Sequence, residues 1–133
     1  MIIHSAEDMF DFGKNFAKKL SFPAILELTG DVGVGKTTFT QGLAAGLGVK
    51  EPITSPSFTI SKRYAFPGGN LIHYDFYRLE DPGLMAEDLA DSLSEQNSII
   101  VIEWGDSISD LLPDNCQKVS IRLTHDGKRE VIL

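Results

Sequence analysis

Gly30-Asp31-Val32-Gly33-Val34-Gly35-Lys36-Thr37 fits the phosphate-loop pattern G-x-x-x-x-G-K-[ST] at every specified position. An apolar run, Ala24-Ile25-Leu26-Glu27-Leu28, leads into it, and a helix-like stretch from Thr37 to Leu47 follows. Strand, loop and helix in that order are the setting the pattern needs. The glycines let successive backbone N–H groups turn to one side as an anion nest, and the helix start adds partial positive charge. Asp31, Val32, Gly33, Val34, Gly35, Lys36, Thr37 and Thr38 are therefore the expected phosphate contacts. The Lys36 ammonium is expected on the β- and γ-phosphates, and the Thr37 hydroxyl on Mg²⁺. The pattern points to a nucleoside triphosphate.

Outward from the loop, the chain alternates helical and extended patterns. Ser5-Ala6-Glu7-Asp8 has the form of a helix N-cap, and Met9, Phe12, Phe16 and Leu20 then recur at helical spacing. Beyond the loop, Phe39, Leu43 and Leu47 share a helix face, with Gly48 where a C-terminal glycine belongs. Ser57 to Tyr64 and Leu71 to Leu79 read as an antiparallel pair about the turn Pro67-Gly68-Gly69-Asn70. A helix is expected from Asp81 to Ser94, a buried strand from Ser98 to Glu103, and a short helix from Ile108 to Leu112. A closing hairpin is expected about Asp126-Gly127. The expected fold is α/β, a single P-loop domain over residues 1–133 with a mixed central sheet flanked by helices. Glu27 is out of place in a central strand, and its carboxylate is expected to reach solvent or a cation.

Composition narrows the function. With 133 residues, 42% apolar and 23% charged, the chain has room for one core. No apolar run is long enough for a membrane span, and the start of the chain lacks the form of an export signal. The lone Cys116 cannot form an internal disulfide, which fits the cytoplasm, and is expected to fill space beside Pro113. Acids outnumber bases 19 to 12, for a net charge of −7. A protein that gripped nucleic acid alone would carry a basic stripe to displace counterions. Any nucleic acid here is expected to be held by a partner.

Three further stretches carry chemistry. Ile99-Ile100-Val101-Ile102-Glu103 is a buried strand ending in an acid, placed to complete Mg²⁺ coordination. In His73-Tyr74-Asp75-Phe76-Tyr77-Arg78 an aspartate sits among aromatics, with His73 and Tyr77 on its own face. Asp75 can orient an attacking water, or be a structural acid satisfied by Arg78 or a backbone N–H. The hydroxyl-rich turn Thr54-Ser55-Pro56-Ser57-Phe58-Thr59 lies where nucleotide hydrolases place a γ-phosphate-sensing switch, or is simply a turn into a strand. Trp104 is a core or rim aromatic, or a stacking contact.

Together these motifs resemble the TsaE (YjeE) family of small ATPases of bacterial tRNA threonylcarbamoyladenosine synthesis. The resemblance rests on the loop through Thr38, on Ser55-Pro56-Ser57-Phe58, on His73 to Leu79, and on Ile102-Glu103-Trp104. It implies that the loop carries ATP, that Thr37 and Glu103 serve Mg²⁺, and that Asp75 is needed for hydrolysis. It implies Ser5 near the adenine, Ser55 and Ser57 in the switch, and TsaD and TsaB as the partners that hold the tRNA. A small-molecule kinase is a rival, but its lid would call for paired arginines, and Arg63, Arg78, Arg122 and Arg129 are scattered. A GTPase is the second rival, but neither [NT]-K-x-D nor D-x-x-G occurs, and a nucleotide-regulated interaction module remains the alternative without catalysis.

Overall fold

The computed structural model describes residues 1–31, 33–54, 61–76, 83–104 and 110–133, with the backbone alone for 83–85. Along the chain run β1 (Ile2–Ile3), α1 (Ala6–Lys18), β2 (Ala24–Thr29), α2 (Lys36–Leu47), β3 (Ser61–Phe66) and β4 (Gly69–Asp75). They are followed by α3 (Gly83–Leu93), β5 (Ser98–Glu103), β6 (Gln117–Leu123) and β7 (Arg129–Ile132). The described strands form one sheet in the order β1-β7-β6-β2-β5-β4-β3. Its inner four strands, β6, β2, β5 and β4, are parallel, while β3 pairs antiparallel with β4, β7 with β6, and β1 with β7. The fold is thus the expected mixed α/β sheet with β2 at its middle.

A parallel strand is covered on both faces, so β2 and β5 are nearly continuous in apolar residues. Alternation sorts them into two layers. Ala24, Leu26, Leu28, Ile99 and Val101 join a core with Met9, Phe39 and Leu43 of α1 and α2. Ile25, Ile100 and Ile102 join a second core with Tyr74, Phe76 and Leu89 on the α3 side. Glu27 falls on that second face, where its Oε1 lies 3.7 Å from Lys118 Nζ, the cation its position required. Cys116 packs at the margin of the same core, its N–H donating to Pro113 O.

Local signals hold at the helix ends. The Ser5 hydroxyl accepts from the Asp8 N–H at 3.0 Å, capping α1, and Gly48 closes α2 in the left-handed conformation. Element limits differ in the hairpin. Gly69 and Asn70 already pair with Phe66 and Ala65, so the β3–β4 turn is Pro67-Gly68 alone and β3 runs to Phe66. Residues 55–60, 77–82 and 105–109 lie outside the described residues, so the outer parts of the expected strands and the start of the expected Ile108–Leu112 helix do too.

Two contacts hold the helices in place. The helices α1 and α2 meet backbone to backbone: a Cβ on Gly42 would stand 2.0 Å from Phe10 O, and one on Gly13 2.3 Å from Phe39 O. On the other face Tyr74 Oη donates to Asp88 Oδ2 at 2.6 Å and lies 2.8 Å from Ser92 Oγ, tying β4 to α3. Burial first, and the Asp88 hydrogen bond second, push the Tyr74 phenol well above its ordinary range.

Gly42→Ala should cost about 1–3 kcal/mol in urea unfolding, although alanine is the better helix former, because the helices must part to admit the methyl. An unchanged or raised unfolding midpoint would contradict the close contact. Tyr74 keeps its proton in the folded state at a pH where an unfolded tyrosine, with a pKa of about 10, has lost it. Its stabilising share is thus complete at neutral pH and lost as pH rises past that point. Tyr74→Phe should flatten the alkaline fall in stability relative to the parent; an identical fall in both would contradict this.

Candidate phosphate-binding site

The carboxyl ends of β2, β4, β5 and β6 share one edge of the sheet, where α/β folds place their ligands. Here β2 runs into the loop. Gly30, Gly33 and Gly35 all take positive φ, at 148°, 85° and 117°. Gly35 is the N-cap of α2, with no side-chain cap and no acid in the first helical turn. The first bond into the helix is Phe39 N–H to Gly35 O, at 2.9 Å. The N–H groups of Lys36, Thr37 and Thr38 precede it and have no acceptor within the helix. Nothing stands within 4 Å of a Cβ built on Gly33, so backbone conformation, and not crowding, requires glycine there. The result is an open cradle of donors at a positive helix end.

Lys36 completes it. The side chain is buried, and Nζ donates to Gly30 O at 2.5 Å while lying 4.1 Å from the centroid of the Trp104 ring. Among the described residues no carboxylate comes within ion-pair distance of this ammonium. A carbonyl and a ring face are weak compensation for a desolvated cation, the ring being worth roughly 0.5–2 kcal/mol. Trp104, at φ 57°, follows Glu103 in a left-handed conformation that non-glycine residues seldom adopt. Its ring is therefore a partner of the loop lysine.

The acids stand beside the loop. Asp75 and Glu103 are register partners at the ends of β4 and β5, and Glu103 also pairs with Leu28 just before the loop. By alternation His73, Asp75 and Glu103 share the sheet face that packs on α2. Glu103 is buried, and its Oε2 lies 2.6 Å from Nε2 of His73, which is wholly enclosed. Among the described residues His73 Nδ1 has no hydrogen-bond partner, an omission that costs on the order of 1–3 kcal/mol. Asp75 is half-buried, Thr38 half-buried and Thr37 exposed. A threonine hydroxyl and a carboxylate are hard oxygen donors of the type Mg²⁺ takes. Among the described residues Thr37 Oγ1 makes no hydrogen bond, and the Glu103 carboxylate makes none beyond His73, so this donor set fits such an ion.

The structure thus gathers Asp31, Gly33, Val34, Gly35, Lys36, Thr37, Thr38, Asp75 and Glu103 at one edge. Val32, Ser55 and Ser57 lie outside the described residues. Ser5 stands at the same edge, two residues past Ile3, which pairs with Arg129, but its hydroxyl is engaged in capping α1. Two residues of the site escape a reading of the sequence. Arg129, first in β7, donates from Nε to Val34 O at 3.0 Å and so pins the loop from the far hairpin. For His73 the strand period gives only a face shared with Asp75; its bond to Glu103 follows from β4 and β5 being parallel neighbours, which the sequence does not state.

Comparison with known proteins agrees with the fold. The family model described as "Threonylcarbamoyl adenosine biosynthesis protein TsaE" matches residues 3–131. A tRNA threonylcarbamoyladenosine biosynthesis protein TsaE from Bacillus subtilis is 40% identical over 108 residues, 80% of this chain and 66% of that relative, just under two thirds of its length. One from Treponema pallidum is 35% identical over 98% of this chain and 96% of its own. The crystal structure of Bacillus subtilis YdiB superposes with a TM-score of 0.81 at 30% identity, covering 98% of this chain and 80% of that one. From its first strand to its last, this chain belongs to the TsaE family.

Proposed function

We propose that this protein is an Mg²⁺-dependent ATPase serving tRNA threonylcarbamoyladenosine biosynthesis, the process for which its relatives are named. The observation that carries the nucleotide is the buried Lys36 ammonium, without a carboxylate partner among the described residues, at the mouth of an N–H-lined loop. A polyphosphate supplies the missing negative charge. Lys36 Nζ then exchanges Gly30 O for phosphate oxygens, and the loop N–H groups hold the remainder.

Thr37 and Glu103 would hold Mg²⁺, which when bound neutralises charge on the β- and γ-phosphates. The Asp75 carboxylate accepts a hydrogen bond from the water that attacks the γ-phosphate and orients it. Adenine as the base follows from family resemblance, as do TsaB and TsaD as partners. The acidic balance, 19 against 12, supports contact with proteins that hold the tRNA, and not with tRNA directly. Hydrolysis is slow until those partners engage, with Ser55 and Ser57 in the segment that reports the γ-phosphate to them.

Calorimetric titration of ATP with and without Mg²⁺ separates the roles. Lys36→Ala should abolish binding, and Thr37→Ala should remove only its Mg²⁺-dependent part. Asp75→Asn should retain affinity while turnover falls by about 100-fold or more. Unchanged affinity in Lys36→Ala would overturn the site, and unchanged turnover in Asp75→Asn would remove that residue from catalysis. Capture of TsaB and TsaD under ATP but not ADP, with no shift of free tRNA, is the expected partner result; tight tRNA binding by the isolated chain would contradict it.

A further inference from the structure

Among the described residues at this edge, His73 carries chemistry that the proposed reaction leaves unused. Its ring is wholly buried, on the sheet face it shares with Leu71, Val101 and Leu26. One nitrogen is committed: Nε2 lies 2.6 Å from Glu103 Oε2. The other, Nδ1, is buried with no hydrogen-bond partner among the described residues. A pair kept for stability alone would be expected to satisfy both nitrogens, as the neighbouring Tyr74–Asp88–Ser92 set satisfies its phenol on the opposite face. A half-satisfied buried pair is no more stabilising than apolar residues of the same volume. What the pair does secure is direction. A carboxylate on a flexible side chain at a strand end can rotate; with Oε2 tied to an imidazole that is itself immobilised, only the other oxygen is left to an incoming group.

We propose that His73 is a positioning residue for Glu103. The proton sits on Nε2 and is donated to Oε2, which fixes the carboxylate plane and presents Oε1 to the divalent cation at the loop. Residues that orient metal-ligating carboxylates in this way typically alter metal affinity by about 10–100-fold when removed. This assignment rests on the Mg²⁺–ATP site proposed above, so its test has one arm that needs no nucleotide.

In the first arm, ¹⁵N NMR of the imidazole in the wild-type, nucleotide-free protein should show the Nε2–H tautomer; an Nδ1–H tautomer would overturn the proposal. In the second, ATP binding is titrated against Mg²⁺ and Mn²⁺. His73→Leu should raise the metal concentration needed by about 10-fold or more, leave metal-free ATP affinity unchanged, and lose this effect in a Glu103→Gln background. His73→Gln, whose amide reaches a similar position to Nε2, should recover most of the metal response. Wild-type metal dependence in a folded His73→Leu, or equal loss in His73→Leu and His73→Gln, would overturn the positioning role alone. ATP affinity that ignores metal in the wild-type protein would overturn the underlying site as well.

Discussion

A buried positive charge organises this molecule. The Lys36 ammonium sits at the end of the central strand with a backbone carbonyl and the face of Trp104 for company. Removing a cation from water is expensive, and neither partner repays the cost in full. The structure bears this arrangement because the surroundings hold it rigidly. Gly30 lies so close to β6 that an added Cβ would stand 2.4 Å from Ile121 O, Arg129 grips Val34 O, and α1 is pressed on α2 through Gly13 and Gly42. Loop, first helix and far hairpin thus brace one position, the one proposed to receive the phosphates.

Strand alternation places the acids with equal economy. Because β4 and β5 are parallel neighbours in register, Asp75 and Glu103 end level with each other, and both face α2. A shift of one residue in either strand would turn its acid to the α3 side and leave His73 without Glu103. The Tyr74 network guards against that shift, since Tyr74 occupies the other face and is fastened to α3 by Asp88 and Ser92. Residues adjacent in sequence therefore divide between the two faces: Tyr74 fastens the strand on the α3 side, and His73 and Asp75 face α2 beside the loop.

What can be foreseen from the sequence follows from how far each interaction reaches along the chain. The loop, the Ser5 cap, the Gly48 terminus and the buried β5 strand rest on spacing within a few residues, and each appears where expected. β1 escapes such a reading, because a two-residue strand has no period to detect and exists only through pairing with β7. Arg129 meets Val34 across 95 positions, and His73 meets Glu103 across 30; composition and spacing carry no trace of either. Trp104 reads equally as a core or rim aromatic or a stacking contact; it packs half-buried at the margin of the second core, and its ring face also meets the loop lysine. The hairpin limits differ because glycine and asparagine signal turns in general, whereas here the turn needs only Pro67 and Gly68.

The loop, Thr37 and Glu103 are proposed to form one site for a metal–triphosphate. A crystal structure with Mg²⁺ and a non-hydrolysable ATP analogue tests it most directly. Phosphates are expected against the N–H groups of Lys36, Thr37 and Thr38, with Lys36 Nζ moved from Gly30 O to a phosphate oxygen. Mg²⁺ is expected on the Thr37 hydroxyl, with Glu103 in its coordination or water shell and still bonded to His73. A nucleotide bound elsewhere, or seated in the loop with Lys36 still on Gly30 O and Glu103 turned from the metal, would contradict it.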